Sequence, residues 1–422
     1  MKNRQADEMK NGHLRVLHTS DWHLGHVLFD RKRDDEFEFF FNWLINIIKK
    51  ECIDCLLIAG DVFDTTTPSA KTQGMYLKFL IKARDQGCKH LVITSGNHDP
   101  AILLEVHKPI LERMDIHVLG IPDVDKPENE VIVFENQSRK PALIVCAVPF
   151  LREKYLRRSA PGESPEDKER KLLQAIADHY GLVAEKASAV AGQAGHVPII
   201  AMGHLFAGGN ARLKEGECER QLYVGTLGQI GPEVFGEIFD YVALGHLHMP
   251  QQIGQFEHIR YSGSPLPMGF SEAGHQKSVC LLDFDGNRPT VELLPVPEFR
   301  HLERVEGNLE IIANRIHELS LSDKTNGIWL EIIYNGDEYE GNLRERLEEL
   351  VAGTGLEILG IKNNRLRETI FGRINEDEEL GDLEESMVFE RCLKSKNIPE
   401  EKWPQLLNVF QEVVLLLKDE QD

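Results

Sequence analysis

The sequence predicts an α/β core, followed by a small α+β unit and C-terminal helices, and three observations lead to this prediction. Short apolar runs alternate with helical patterns through the first hundred residues, which is typical of parallel strands joined by helices. Five apolar runs end directly in residues with metal-binding side chains. Beyond about Val296 the composition changes, and helical and strand-like patterns continue without such residues.

Length and composition indicate a globular protein. The 422 residues suggest two to three domains, and a hydrophobic fraction of 41% is enough for a core. Seven cysteines without regular spacing argue against a disulfide framework, and the Cys52-x-x-Cys55 pair favours packing over metal or redox chemistry. No apolar stretch is long enough to span a bilayer, and residues 1–12 form a polar tail unlike a signal peptide, so we expect a cytoplasmic protein.

The net charge of −21 is not typical of a freestanding nucleic-acid binder, because phosphate contacts need Lys and Arg. It does not exclude DNA as a substrate, since a metal centre or a basic partner could supply the positive charge. The charged segment 151–170 favours a solvated loop over a DNA-contacting patch. Its basic residues include Arg152, Lys154, Arg157 and Arg158.

Hydrophobic periodicity predicts the elements of the core in order. Helical patterns cover residues 37–48, a segment from after Pro68 to near Gly87, and residues 171–189. Strand patterns cover residues 14–18, 56–58, 91–94, 131–134, 142–148, 197–202, 241–244, 259–261 and 279–284.

Metal-binding side chains follow five of these strands. Residues two apart on an extended segment point to the same side, so Asp21 and His23 can face one ion together. The carboxyl ends of strands in an open α/β sheet border a common crevice, where ligands bind. The seven candidate ligands are Asp21, His23, Asp61, Asn97, His204, His246 and His248.

This ligand set contains oxygen and imidazole nitrogen without thiolate, which disfavours a structural zinc or iron–sulfur site and allows Mn, Fe or Zn. Seven ligands exceed the need of one ion, so we expect two ions bridged by one carboxylate. Asp61 is the chosen bridge because it lies centrally in the order. Only two ligands are negative, so the loaded site would attract a phosphate and supply hydroxide near neutral pH.

His98 is the candidate catalytic residue. It lies beside Asn97 and is not needed as a ligand, so it could stabilise the pentavalent state or protonate the leaving oxygen. Asp99 could orient His98 or cap the following helix, and both alternatives stay open.

The C-terminal third has helical patterns at residues 302–319 and 343–351 and strand patterns at 328–333 and 356–361. An acidic joint at 375–385 precedes two short helices. The last helix carries an apolar stripe, which could equally pack on its own protein or dock on a partner. The stripe consists of Leu406, Val409, Phe410, Val413, Leu416 and Leu417.

Five motifs in combination resemble those of the calcineurin-like metallophosphoesterases. They are Asp21-Trp-His23, Gly60-Asp61-Val-Phe-Asp64, Gly96-Asn97-His98-Asp99, Gly203-His204 and Gly245-His246-Leu-His248. The longer segments HTSDWHLG, AGDVFDT, ALGHLH and YSGSP, with YVGTL at Tyr223, are similar to those of bacterial nuclease subunits that act with an ATPase. The resemblance implies mixed sheets flanked by helices in an α/β/β/α-type sandwich. It also implies a nuclease domain at 13–295, a capping domain at 296–375 and a linker with partner-docking helices at 376–422.

The same resemblance implies a Mn²⁺-dependent DNA nuclease, although Mg²⁺, Fe or Zn would also be possible. Its expected activities are 3′–5′ exonuclease and endonuclease cleavage of duplex ends and hairpins, in DNA repair, recombination and replication. One ion would be held by Asp21, His23, Asp61 and His248, and the other by Asp61, Asn97, His204 and His246, while His98 assists the chemistry. The chain would form a homodimer within a heterotetramer, and the ATPase partner would bind ATP.

Two points stay open beside this resemblance. The role of Asp64 does not carry over, because some relatives have His at that position. A metallophosphatase or phosphodiesterase for a small substrate is the alternative function. The roughly 130 residues after the core argue against this alternative, since a small substrate needs neither a cap nor a docking stripe.

Overall fold

The computed structural model describes residues 13–157, 163–192, 197–207, 230–286, 288–321, 326–336 and 342–363, with Leu393, Trp403 and Leu407. Its contacts divide the chain into two compact units, Met1–Phe299 and Arg300–Asp422. The predicted tail 1–12 and the YVGTL segment lie outside the described residues. So do the acidic joint 375–385 and, apart from three residues, the predicted docking segment 376–422 with its apolar stripe. The predicted domain bounds stay predictions.

The described part of the first unit contains fourteen strands and six α-helices. The strands are β1 (His13–Thr19), β2 (Val27–Leu28), β3 (Arg31–Lys32), β4 (Cys55–Ala59), β5 (His90–Thr94), β6 (Ile116–Leu119), β7 (Val131–Glu135), β8 (Pro141–Ala147), β9 (Ile199–His204), β10 (Tyr241–Gly245), β11 (Gln251–Ile253), β12 (Phe256–Tyr261), β13 (Ser278–Asp285) and β14 (Thr290–Pro295). The helices are α1 (Asp34–Glu51), α2 (Ala70–Asp85), α3 (Ala101–Val106), α4 (Lys108–Leu111), α5 (Glu153–Leu156) and α6 (Pro165–Ala191).

Two six-stranded sheets form the centre of this unit. The first has the order β14-β13-β1-β4-β5-β6 and the second the order β11-β12-β10-β9-β8-β7. Parallel pairing joins β1, β4, β5 and β6 in the first sheet and β8, β9, β10 and β12 in the second. The remaining strands of each sheet pair antiparallel with their neighbours. Both sheets are therefore mixed, as the family resemblance implied.

Alternation along the strands separates the layers of the core. In β4, Leu56 and Ile58 belong to an apolar cluster with the side chains of α1 and α2. Leu57, one residue between them, belongs to a second cluster shared by both sheets. A third cluster packs α6 against the outer face of the second sheet. Helices therefore cover both outer faces, and the predicted α/β/β/α sandwich is confirmed.

Most predicted elements of this unit are present, with differences at boundaries. Helix α6 begins at Pro165 rather than at 171, because the Ser164 hydroxyl accepts a hydrogen bond from the Asp167 N–H and caps its first turn. Part of the segment predicted as a charged loop is therefore helical. Five strands lacked a readable pattern: β2, β3, β6, β11 and β14.

The described part of the second unit alternates strands and helices: β15 (His301–Gly307), α7 (Leu309–Ser320), β16 (Ile328–Tyr334), α8 (Leu343–Val351) and β17 (Leu356–Asn363). The three strands pair parallel in chain order. The prediction of a continuous helix over 302–319 is wrong at its start, since residues 301–307 form a strand. Leu302 and Val305 lie three residues apart, which mimics a helical period, whereas Asn308 caps the real helix by accepting from the Ile311 N–H.

Candidate metal centre

The candidate residues lie where the carboxyl ends of β1, β4 and β5 meet those of β9 and β10. The loop after β1 is tied to the loop after β4, because the Asp21 and His23 N–H groups donate to the carbonyls of Gly60 and Asp61 at 3.0 Å. Four candidates have a positive φ, which L-residues rarely adopt and which clusters at functional sites. They are Asp21 (51°), His23 (48°), Asp61 (47°) and His246 (109°).

A first group of acceptor atoms surrounds the His204 ring. Its Nδ1 lies 3.0 Å from the Ala59 carbonyl oxygen, which can only accept, so Nδ1 carries a proton. The opposite nitrogen, Nε2, lies 3.2 Å from Asp61 Oδ2 and 3.0 Å from Asn97 Oδ1. Asn97 Oδ1 also lies 3.2 Å from Nδ1 of His246. In a neutral His204, Nε2 would present a lone pair to two oxygen acceptors.

A second group surrounds the His23 ring. Nε2 of His23 lies 3.2 Å from Nε2 of His248, and the Nδ1 atoms of the two rings face carboxylates, Asp64 Oδ1 at 3.1 Å and Glu272 Oε1 at 3.0 Å. These carboxylates favour a proton on Nδ1 in each ring. The two Nε2 lone pairs then point at each other.

Asp61 and Asp21 connect the two groups. Asp61 Oδ2 lies 3.2 Å from His204 Nε2 and 3.6 Å from His23 Nε2. The Asp21 carboxylate lies within 4.8 Å of ligand atoms in both groups, with His23 and His248 in one and with Asp61 and His204 in the other. Lone pairs that converge in this way repel unless a positive charge lies among them, so the donor set fits divalent cations. The structure brings all seven predicted ligands together.

His98 lies beside the two groups. Its backbone N–H donates to Asp61 Oδ1 at 2.9 Å, and its ring meets the His23 ring edge-on at 5.0 Å. Nδ1 lies 3.1 Å from the Asp64 carbonyl oxygen, so Nδ1 donates there. Nε2 is therefore the ring nitrogen that this contact leaves available.

Neither role considered for Asp99 is the one observed. Its carboxylate accepts from the backbone N–H groups of Val62, Phe63 and Gly96 at 2.8–3.1 Å. It therefore joins the loop after β4 to the loop after β5, rather than orienting His98 or capping α3. Burial, with the nearby Asp61 charge, raises the pKa of Asp99 to about 7.

Several groups that support the candidate ligands were not predicted from the sequence. The Asp64 carboxylate faces Nδ1 of His23 and of His26, while its carbonyl orients His98. Ser20 Oγ donates to Asp21 Oδ2 and lies 2.8 Å from Ser262 Oγ. Glu272 lies far along the chain and has no sequence spacing to the other motifs. Ser20, Asp64 and Ser262 do stand inside the quoted motifs HTSDWHLG, AGDVFDT and YSGSP.

Two glycines of the motifs permit the close approach of these loops. A Cβ atom on Gly96 would lie 2.1 Å from Asp61 Oδ1, and one on Gly245 would lie 1.8 Å from the Ala59 carbonyl oxygen. No shift of a flexible side chain relieves the second clash, because the obstructing atom belongs to the backbone.

The basic segment after β8 has two different environments. Arg157 pairs with Glu153 at 2.8 Å and with Glu163 at 3.0 Å, so carboxylates of this chain rather than DNA compensate its charge. Arg152 instead donates to the Asn97 carbonyl oxygen at 3.0 Å and lies over the Phe150 ring. Arg152 is therefore a neighbour of the candidate metal centre, while Arg158 lies outside the described residues.

Electrostatics show that the cluster attracts positive charge. Burial lowers the pKa of His204, but the Asp61 and Asp21 carboxylates and the Ala59 carbonyl together outweigh burial and raise it to about 9. Burial raises the pKa of Asp61, yet the neighbouring imidazoles hold it well below its usual range. Burial and the nearby His204 lower the pKa of His246 to about 3. A proton on His204 thus compensates the negative charge of Asp61, as a bound cation would.

Comparisons with known proteins match both units. A family model described as calcineurin-like phosphoesterase matches residues 14–250, and one described as type 5 capsule protein repressor C-terminal domain matches residues 298–397. SbcD, the D component of the nuclease SbcCD, from Escherichia coli (strain K12) is 31% identical over 410 residues, covering 97% of this chain and 100% of that protein. The proteins of the same name from Rhodobacter capsulatus and Bacillus subtilis are 32% and 35% identical, over 83% and 64% of this chain and 88% and 66% of theirs.

The raised pKa of His204 predicts that divalent-cation binding releases a proton. At about pH 7 His204 is protonated, so a cation that takes Nε2 must displace that proton. Affinity should rise up to roughly tenfold per pH unit towards about pH 9 and then level off. Calorimetric Mn²⁺ titrations in buffers of different ionisation enthalpy measure the released protons. His204→Ala should abolish the buffer dependence, and a buffer-independent heat for the unsubstituted protein would contradict the assignment.

Proposed function

We infer the activity from one premise: the chain belongs to the calcineurin-like phosphoesterase family and, within it, to the SbcD proteins of the SbcCD nucleases. It is therefore a hydrolase of phosphodiester bonds, and the relatives' name assigns it a nuclease function on DNA. The observation that carries this function to the site is the pair of facing acceptor groups that share Asp61.

We propose that these groups hold two divalent ions and that the ions are Mn²⁺. One ion would be held by Asp21, His23, Asp61 and His248, and the other by Asp61, Asn97, His204 and His246. The position of Asp61 Oδ2 between the rings of His23 and His204 supports its role as the bridge. The mixture of carboxylate, amide and imidazole supports Mn²⁺ over ions that prefer thiolate.

The residues of the chain then have separate tasks. When bound, two such ions polarise the phosphate and activate a water for in-line attack. His98 would protonate the leaving oxygen through Nε2, because Nδ1 donates to the Asp64 carbonyl. The hydrogen bond from the His98 N–H to Asp61 ties the position of this acid to the bridging carboxylate. Arg152 donates to the Asn97 carbonyl oxygen, and this proximity supports the proposal that it contacts a phosphate beside the scissile one.

We also propose the partner and the substrates of this chain. The relatives' name implies an SbcC partner, and we propose that this ATPase binds ATP and supplies much of the DNA-binding surface that a chain of net charge −21 lacks. The substrates would be double-stranded DNA ends and hairpins, cleaved by 3′–5′ exonuclease and endonuclease activity in repair, recombination and replication. The second unit would act as a cap, and residues 376–422 would dock on SbcC.

We propose a cytoplasmic location, which suits these partners. Within the described ranges, no helix combines the length and the apolar character needed to cross a bilayer.

A homodimer within the heterotetramer is supported by one surface of the first unit. Ile102, Val106 and Ile110 on α3 and α4 are 73%, 59% and 68% exposed and follow one another at four-residue spacing. Large aliphatic side chains exposed on two consecutive helices are typical of a protein interface. We propose that this surface patch of Ile102, Val106 and Ile110 pairs with its copy on a second chain.

Substitution of His98 tests the assignment of the general acid. His98→Ala should lower Mn²⁺-dependent cleavage of a labelled hairpin-ended duplex by about 10²–10⁴-fold, with and without SbcC and ATP, because the variant removes the proposed general acid. Mn²⁺ affinity should stay unchanged. His258→Ala, on β12, is the matched control and should cleave normally.

Three results would count against these assignments. Cleavage at the unsubstituted rate by His98→Ala would remove His98 from the mechanism, and lost Mn²⁺ binding would make it a ligand instead. Absent DNA cleavage with SbcC present, alongside brisk hydrolysis of bis-p-nitrophenyl phosphate, would favour a small-substrate phosphodiesterase.

A charge placed in the patch of Ile102, Val106 and Ile110 tests the proposed dimer. Ile110→Glu should shift the protein from dimer to monomer in sedimentation velocity experiments, because an unpaired carboxylate is costly to bury at an apolar interface. Hydrolysis of bis-p-nitrophenyl phosphate should persist. Ile311→Glu, at a 53% exposed position of α7, is the control and should stay dimeric. A monomeric unsubstituted protein at tens of micromolar would contradict the proposal.

A further inference from the structure

His248 lies beyond the end of its strand and needs support from other elements. His204 is the last residue of β9, whereas His248 stands three residues beyond the end of β10 at Gly245. Its Nε2 must nevertheless be held 3.2 Å from Nε2 of His23. Strand β10 does not fix the position of a residue that lies three positions into the following loop. Other groups must therefore fix both the backbone and the ring of His248.

Glu272 holds the ring. Its Oε1 lies 3.0 Å from His248 Nδ1, and its Oε2 accepts from the Met268 N–H at 3.0 Å. The Glu272 side chain is 12% exposed, so the carboxylate is largely shielded from water. A carboxylate in this position fixes the tautomer with the proton on Nδ1 and directs the Nε2 lone pair towards His23.

Lys277 holds both Glu272 and the backbone of His248. Its ammonium donates to Glu272 Oε2 at 2.6 Å, to the His248 carbonyl oxygen at 3.0 Å and to Ser264 Oγ at 3.1 Å. The three protons of the ammonium are therefore matched by three acceptors. Lys277 is only 4% exposed and directly precedes β13, which pairs with β1, the strand that leads to Asp21.

We propose that Glu272 and Lys277 are positioning residues that set the metal affinity of one half-site, the group of Asp21, His23, Asp61 and His248. Lys277 fixes the backbone of His248, and Glu272 fixes its ring. The lysine also neutralises Glu272, so the half-site gains an oriented imidazole without a further negative charge. The inference rests on the proposed role of His248 as a ligand.

Titration of the full chain with Mn²⁺ alone tests this proposal, with free Mn²⁺ followed by its electron paramagnetic resonance signal. The unsubstituted protein should bind two ions. Lys277→Met and Glu272→Ala should weaken one of the two by about 10–100-fold and leave the other nearly unchanged. Glu272→Gln should also weaken one ion, because His248 and Lys277 contact different oxygens of Glu272 and the NH2 group of Gln would face one of these two donors. This isosteric variant keeps the test available if Lys277→Met does not fold.

Lys89→Met is the matched control. It removes a lysine that donates to Asp54 Oδ1 at 2.7 Å, at the amino ends of β4 and β5, opposite the site. Both ions should bind it with unchanged affinity. Unchanged affinities in folded Lys277→Met and Glu272→Gln, or equal weakening of both ions, would overturn the proposal. Two bound ions without DNA cleavage would instead count against the nuclease function and leave the positioning roles standing.

Discussion

Acceptor atoms crowded at the shared edge of two sheets are the constraint on which this structure depends. His23 and His248 present ring nitrogens to each other at 3.2 Å, and Asp61 Oδ2 lies 3.2 Å from His204. In a buried site such lone pairs repel unless a proton or a metal ion lies among them. Two parallel segments of sheet, stacked with their carboxyl ends together, bring these atoms into one place from five strands. The apolar layers on both faces of each sheet hold that arrangement against the repulsion.

The backbone around the cluster is strained where the side chains must turn inwards. Asp21, His23, Asp61 and His246 all have positive φ, and each such residue costs about 1–2 kcal/mol relative to right-handed conformations. Hydrogen bonds between loops hold the strain in place, above all the three that the Asp99 carboxylate accepts. Strain retained in this way marks a site shaped for chemistry rather than for stability alone.

A second layer of carboxylates sets the orientation of the imidazoles. Asp64 faces Nδ1 of His23 and Glu272 faces Nδ1 of His248, which leaves both Nε2 atoms directed into the cluster. The Asp64 carbonyl gives His98 the same kind of orientation. One residue thus contacts a proposed ligand through its carboxylate and the proposed general acid through its backbone carbonyl, so a substitution at Asp64 directly removes only the contact with His23.

The sequence by itself determined the α/β class, most strands and helices, and which seven residues gather, because apolar periodicity and strand-end motifs are local signals. The α/β/β/α sandwich was implied by the resemblance of those motifs to a known family. The pattern of apolar residues did not predict the start of α6, which a capping serine determines. It also did not predict the strand β15, where a three-residue spacing of apolar side chains resembles a helical period. Only the tertiary structure decided that Asp99 joins two loops and that Glu272 and Lys277 surround His248. These contacts form between side chains and loops that become neighbours only when the chain folds. Periodicity and spacing along the sequence carry no information about such distances between loops.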